Sequence, residues 1–163
     1  MHHKSVESAS HGDNVGINVK NLKKENMPKV GDVMSLLSDN VSKKVVSFRA
    51  MVNVQDHPGK LYSACQEGKS GFTPSIHVRT TKCPCRLDKI HWKMGKSTGK
   101  IKVKDAVYME KNDNAEVTFV PKLPFYVEAY KDCPGLGRIA VMDSNSLIML
   151  GKIVSVIYTD ETK

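Results

Sequence analysis

The sequence predicts an all-β protein on the strength of three observations. Apolar residues recur with a period of two along most of the chain, which is typical of strands that bury one face. Turn signals such as His57-Pro58-Gly59 and Cys133-Pro134-Gly135 separate these runs at the intervals usual in all-β domains. No window has the pattern of a capped amphipathic helix.

Four segments alternate clearly and are predicted to be half-buried strands, because every second residue is apolar and most of the residues between them are polar or small. Their apolar positions are Val15, Ile17 and Val19; Val46, Phe48, Ala50, Val52 and Val54; Ala115, Val117 and Phe119; and Phe125, Val127 and Ala129.

The last apolar segment, Ser146 to Asp160, has apolar residues at both parities. Ile148 and Leu150 share one parity, whereas Met149 and Ile153 share the other. We therefore predict a strand that is covered on both faces and broken by a bulge at Gly151.

A polar stretch from Leu36 to Lys44 is predicted to be a linker. It divides the chain into an opening segment, residues 1–41, and a remainder, residues 42–163. About forty residues with two or three strands cannot close a barrel or bury a self-sufficient core. The opening segment is therefore predicted to be the end of a larger domain.

Charge and composition indicate a soluble, basic protein. The chain has 25 Lys and Arg against 17 Asp and Glu, a net charge of +8, which suits a polyanionic partner such as RNA. The alternative is that the excess of lysine and arginine lies on a solvated surface that binds no polyanion. No run of 18 apolar residues and no signal or transit peptide is recognisable, so we expect a cytoplasmic protein with no membrane partner.

The cysteines and histidines give no strong motif. Cys83-x-Cys85 is only one half of a zinc motif, and small thiols buried in strands explain it more simply. No Ser/His/Asp or Cys/His arrangement can be argued. We therefore predict no catalytic residue and no metal site in this chain.

The trio Gly95-Lys96-Ser97 has the ending of a phosphate-binding loop. The motif G-x-x-x-x-G-K-[ST] needs a glycine five residues earlier, and Ile90 stands there. The following "GKIKVKDAVY" alternates like an exposed strand, with Lys100, Lys102 and Lys104 on one face. We therefore predict a basic loop and no nucleotide site.

The stretch from Arg79 to Lys96 is rich in cations. Lysine and arginine side chains that project from a sheet, with threonine hydroxyls between them, are suited to contact the phosphates and sugars of RNA. A lysine-rich edge strand that prevents sheet-to-sheet aggregation is the alternative.

The order and spacing of several motifs resemble the C-terminal half of translation elongation factor 1-alpha and of the related elongation-factor-like proteins. The motifs span nearly the whole chain: "GDNVGINVKNL", "MPKVGDVM", "FRAMVNVQDHPGKL", "GFTP", "VRTTKCPCRL", "WKMGKSTG" and "CPGLGRIAVMD".

The resemblance implies a domain organisation. In this family a GTPase domain precedes two β-barrels, and the chain resembles the closing strands of the first barrel followed by a complete, antiparallel, six-stranded second barrel. Met1 aligns inside the family's chain, which indicates a fragment or a truncated relative. GTP and magnesium would then belong to the absent GTPase domain, and this chain would not be an enzyme by itself.

The resemblance also implies partners: aminoacyl-tRNA, the ribosome and a guanine-nucleotide exchange factor. By position in the motifs, a tRNA-binding role falls on Arg79, Lys82 and Arg86 of "RTTKCPCR" and on Arg138 of "GLGRIAV". Elongation factor 1-alpha usually reads "HTAHIACKF" where this chain reads "RTTKCPCRL". The alternative function is a free-standing basic barrel that binds RNA or protein.

Overall fold

The computed structural model describes residues 5–36, 44–65 and 71–159. Within these ranges the helical elements are two 3-10 turns, Lys24–Asn26 and Lys96–Thr98, and neither is long enough to cross a membrane. The strands are β1 (Val45–Val54), β2 (Leu61–Tyr62), β3 (Ser75–Val78), β4 (Thr81–Met94), β5 (Val103–Lys104), β6 (Tyr108–Met109), β7 (Asn114–Pro121), β8 (Arg138–Asp143) and β9 (Ser146–Tyr158).

Six strands form a closed antiparallel barrel. They follow the order β3, β8, β9, β1, β7, β4, and β4 pairs with β3 again, so the first and last strands meet. β5 lies at the outer edge of β4, and β2 pairs with β6 in a separate two-stranded sheet. The predicted all-β class and the antiparallel six-stranded barrel are confirmed.

The alternating residues of the sequence fill the barrel. Inward-facing positions of β1 and β7 are buried as predicted: Phe48, Ala50, Val52, Val54, Ala115, Val117 and Phe119. Val46 differs from its prediction and is 45% exposed. The β1–β9 register shifts between Val45 and Ser47, so Val45 points inward in its place.

β9 covers the final apolar segment, but its irregularities lie away from the predicted position. The pairing with β8 passes over Ile148, and the pairing with β1 passes over Val154. Each irregularity switches which parity faces the core. Leu150 and Ile157 remain 46% and 61% exposed. The predicted bulge at Gly151 and the predicted second covered face are therefore wrong.

Gly151 instead marks a crowded point inside the barrel. It stays in regular register between Val52 and Ile139. A Cβ on this residue would lie 2.8 Å from Val52 Cγ1 and 2.6 Å from the carbonyl oxygen of Met51. Glycine is therefore required there by close packing.

The segment 125–129 has the predicted burial without the predicted strand. Phe125 and Val127 are buried, yet the segment belongs to the loop between β7 and β8. The Phe125 ring lies 6.2 Å from the Phe48 ring, and the Tyr158 hydroxyl donates to the carbonyl of Val127 at 3.3 Å. Packing against the barrel, and not a strand ladder, orders this segment.

The opening segment differs most from its prediction. Residues 5–36 contain no strand, and Val15, Ile17 and Val19 are 44%, 65% and 41% exposed. A strand needs a neighbour that pairs with its backbone and covers its apolar face. No described residue provides either, so the predicted closing strands of a first barrel are not formed in this structure.

The predicted linker, Leu36 to Lys44, falls mostly on residues 37–43, which lie outside the described residues. The division into residues 1–41 and 42–163 therefore stays a prediction.

Candidate nucleic-acid interface

Arg79 is held at the turn between β3 and β4. Its φ of +54° is in the left-handed region, which such two-residue turns require. Its Nε donates to the carbonyl of Gly135 at 3.3 Å. A Cβ on Gly135 would lie 2.6 Å from a terminal nitrogen of Arg79, so glycine makes room for the guanidinium.

Arg138 stands beside this turn because of the barrel's register. β3 and β8 pair His77 with Ala140, and continuing the register by two residues places Arg138 opposite Arg79. The two arginines line one open cleft of about 570 Å³. The other lining residues are His11, Asp132, Cys133, Pro134 and Gly135.

Tyr130 orients the cations next to the cleft. A terminal nitrogen of Arg138 donates to the Tyr130 hydroxyl at 3.1 Å, and Lys152 Nζ lies 4.6 Å from the ring centre. The hydrogen bond from Arg138 lowers the pKa of Tyr130, and the charge of Lys152 acts in the same direction. A Cβ on Gly137 would come within 2.3 Å of Tyr130 Cα, so the loop needs glycine to bring this ring close.

Lys82 lies on the outer face of the same sheet region. It pairs with His77 of β3, which in turn pairs with Ala140 of β8. Two strand spacings, roughly 10 Å, therefore separate Lys82 from the backbone of β8. Lys82 is exposed and extends the cationic surface beyond the cleft.

Arg86 is separate from the other three predicted residues. It lies four residues beyond Lys82 along β4, roughly 13 Å, and pairs with Val120 of β7. Its guanidinium contacts Asp88 Oδ1 at 2.9 Å, which offsets much of its charge. The structure thus brings Arg79 and Arg138 together, places Lys82 nearby and leaves Arg86 apart.

Ion pairs distinguish this surface from six other cations of the barrel. Within the described residues, Arg79, Lys82, Arg138 and Lys152 have no carboxylate oxygen within 4.0 Å. Six other cations are paired: Arg49 with Glu116, Lys60 with Glu110, Arg86 with Asp88, Lys89 with Asp105, Lys93 with Asp113 and Lys111 with Asp56. Unpaired guanidinium and ammonium groups are the donors that phosphate binds.

Sequence reasoning missed Lys152 and Tyr130. Lys152 is a polar residue between Gly151 and Ile153, which indicates an outward-facing position but not a neighbour. Its place beside Arg138 depends on the pairing of β8 with β9. Tyr130 sits in a loop whose path no periodicity predicts.

The trio Gly95-Lys96-Ser97 occupies a turn at the end of β4. Lys96 and Ser97 belong to a three-residue 3-10 turn, Lys96–Thr98, where a phosphate-binding loop would open a long helix. The carboxylate of Asp113 packs against Gly95, where a Cβ would overlap Asp113 Oδ1. This geometry agrees with the predicted basic loop.

Cys83 and Cys85 are buried in the barrel, as small thiols in a strand were predicted to be. Cys83 Sγ donates to the carbonyl of Leu123 and Cys85 Sγ to the carbonyl of Cys83. Cys65 is exposed and Cys133 half-buried. The described residues contain no group of three or more His, Cys, Asp or Glu that could hold a metal ion.

Known proteins similar to this chain agree on one family. The family described as GTP-eEF1A C-terminal domain-like matches residues 47–154. Elongation factor 1-alpha of Eremothecium gossypii is 35% identical over 161 residues, that of Saccharomyces cerevisiae 34% over 161 and that of Desulfurococcus mucosus 36% over 155. These alignments cover 99%, 99% and 95% of the chain and 33% of each relative.

A solved structure supports the fold. The crystal structure of Sup35 complexed with GDP matches with a TM-score of 0.59 and 18% identity, over 69% of this chain and 26% of Sup35. The chain spans about a third of the length of the curated relatives it matches. Since the family match covers most of the barrel, the chain belongs to the family of elongation factor 1-alpha C-terminal domains.

Proposed function

We propose that this chain serves translation as the C-terminal part of a factor that delivers aminoacyl-tRNA to the ribosome in a GTP-dependent manner. Its share of that task is to hold the tRNA by its sugar-phosphate backbone at the cleft of Arg79 and Arg138. Lys82 and Lys152 extend the contact on either side.

One observation carries the proposal. The cations of the cleft have no carboxylate partner among the described residues, whereas six cations elsewhere on the barrel do. A paired cation must give up its partner before it binds phosphate, and an unpaired one only releases water and counterions. Phosphate binding at the cleft therefore breaks no ion pair, and the register of β3 and β8 sets two guanidinium groups side by side there.

The cations of the cleft have different roles. Arg79 and Arg138 present planar guanidinium groups that can bind two phosphate oxygens at once, and both are anchored by hydrogen bonds to the loop 130–137. Lys82 and Lys152 act as point charges. Arg86 contributes less than the sequence predicted, because Asp88 already binds it.

The remaining roles fall outside these residues. GTP and magnesium would be bound by other parts of a protein of the relatives' length, and this chain would hydrolyse no GTP alone. The ribosome and a guanine-nucleotide exchange factor are further partners of the whole factor, which would work in the cytoplasm.

A salt titration of tRNA binding tests the proposal. The unmodified chain should bind aminoacyl-tRNA and deacylated tRNA weakly and about equally, because backbone contacts do not read the amino acid. Each phosphate contact contributes about 0.7–0.9 to the slope of log affinity against log salt. The double variant Arg79→Ala/Arg138→Ala should bind more weakly and lose roughly 1.5 from that slope.

The matched control is Arg49→Ala/Lys111→Ala, which removes the same net charge from two ion-paired residues. It should change the slope much less. An equal loss in both variants would assign binding to net charge, and tight binding that depends on aminoacylation would contradict the backbone role.

A free-standing RNA- or protein-binding barrel is the second candidate, and the closure of the barrel within residues 45–158 favours it. The transcript upstream of Met1 separates the two. An in-frame continuation that encodes G-x-x-x-x-G-K-[ST] after a strand supports the factor, and a stop codon supports the free-standing barrel.

A further inference from the structure

A second cationic surface lies on the segment that follows β4. We name residues 95–104 the lysine arm. It contains no acidic residue, and within the described part of the chain none of its lysines forms an ion pair. The lysines are Lys96, Lys100, Lys102 and Lys104, and all are exposed.

The lysine arm is remote from the arginine cleft. It begins after Met94, at the end of β4, whereas Arg79 precedes Thr81 at the start of the same strand. A strand of 14 residues extends roughly 40 Å. A ligand bound at the cleft would have to extend over that distance to contact the arm.

The backbone of the arm offers a sheet edge that none of the described strands pairs with. β5 is the last strand in the sheet order and pairs with β4. The N–H of Asp105 donates to the carbonyl of His91 at 2.8 Å. Asp105 thus occupies a hydrogen-bonded position opposite His91. Hydrogen-bonded and non-hydrogen-bonded positions alternate along an antiparallel pair, so the N–H and C=O of Lys104, the preceding residue, point away from β4. Such an edge accepts another strand.

The side chains of the arm alternate between cationic and aliphatic. Ile101 is 70% exposed and Val103 is 40% exposed, and they sit between Lys100, Lys102 and Lys104. A phosphodiester backbone would use the lysines alone. An extended peptide would use the lysines, the aliphatic side chains and the backbone of this sheet edge together.

Trp92 fixes the arm and argues against base stacking. Its Nε1 donates to Glu116 Oε2 at 2.7 Å, and Lys102 Nζ lies 4.1 Å from the centre of its ring. One face of the indole is thus already covered by a lysine. Stacked aromatic platforms are what single-stranded nucleic acids need.

We propose that the lysine arm binds an extended, acidic peptide segment of a partner protein, which adds to β5 as a further strand. A second copy of this chain does not fit, because pairing two arms would set lysine against lysine. An acidic strand with alternating aliphatic residues would place its carboxylates beside Lys102 and Lys104.

The test uses the full chain and a capped octapeptide of alternating Glu and Val, followed by NMR of the backbone amides. The largest chemical-shift changes are expected from Lys102 to Asp105.

The variant Lys102→Glu/Lys104→Glu should weaken binding on the order of tenfold or more, since two attractions become repulsions. The matched control Lys122→Glu/Lys131→Glu has the same net charge and should bind as the unmodified chain does. Circular dichroism verifies that both variants are folded.

Two further probes decide the mode of binding. An octapeptide with N-methyl groups on alternate residues cannot complete a strand ladder and should lose binding; full retention would overturn strand addition. An oligouridylate of equal charge should bind the arm more weakly. Equal binding of that RNA with the same dependence on Lys102 and Lys104, or no binding of the octapeptide, would also overturn the proposal.

Discussion

Residues 5–36 and the barrel contain the same kind of aspartate turn. Asp13, Asp32 and Asp113 each accept, through Oδ2, the backbone N–H of the residue three positions earlier, at 2.7, 2.7 and 2.9 Å. In the opening segment these turns stand exposed to solvent. In the barrel Asp113 is 1% exposed and contacts Lys93 Nζ at 3.4 Å.

The same contrast holds for hydrophobic alternation. Ile17 and Phe119 occupy similar positions in alternating runs, yet one is 65% exposed and the other fully buried. The two regions have the same alternation of residues and the same kind of turn, but only in the barrel do strands pair with distant parts of the chain. Cross-strand neighbours therefore convert an alternating sequence into a buried face.

The largest expected effect comes from the aromatic centre of the barrel. Phe119 packs against Phe48 with ring centres 5.7 Å apart. Phe119→Ala removes a buried ring and leaves a cavity, so we expect a loss of about 3–5 kcal/mol in the free energy of unfolding, measured in urea.

Ile17→Ala is its counterpart in the opening segment. It should change the free energy of unfolding by less than about 0.5 kcal/mol, because an exposed side chain gains little from burial. A loss at Ile17 comparable to that at Phe119 would mean that the opening segment packs in solution.

These comparisons also explain how far the sequence predicts the fold. Periodicity identified the interior of β1 and β7, since their partners lie within the same chain. It failed at Val15 to Val19, where the pattern is clean and no partner is described. It failed differently in β9, because bulges at Ile148 and Val154 are set by the neighbouring strands and leave no local signal.

The candidate site was half predictable for the same reason. Motif position pointed to Arg79 and Arg138, which the register of β3 and β8 brings together. The ion pair that sets Arg86 apart depends on Asp88 turning toward it. Lys152 and Tyr130 join the cleft through strand pairing and a loop, so neither could be inferred from sequence spacing.

The aspartate turns give the next largest effect. Asp113→Ala leaves Lys93 buried without its carboxylate, although the Tyr108 ring still lies 4.0 Å from its ammonium group. We expect a loss of about 3 kcal/mol, at the lower end for a broken buried ion pair. Asp32→Ala removes the same backbone contact in solvent and should cost about 0.5 kcal/mol. Urea unfolding of the two variants measures the difference, and equal losses would show that burial adds nothing to this turn.

Removing residues 1–40 should also have only a small effect on the barrel. Within the described residues one hydrogen bond joins the two regions, from Thr81 Oγ1 to the carbonyl of Gly31 at 2.7 Å. A hydrogen bond contributes about 1 kcal/mol, so the free energy of unfolding of a chain that begins at Val41 should lie within about 1 kcal/mol of that of the full chain.

The shortened chain should also be more soluble, because removal takes away exposed apolar residues such as Ile17 and Val30, which are 65% and 89% exposed. Thermal unfolding and the concentration at which each chain precipitates measure both effects. Equal solubility, or a barrel weakened by more than about 2 kcal/mol, would mean that the opening segment is bound to the barrel by contacts beyond this hydrogen bond.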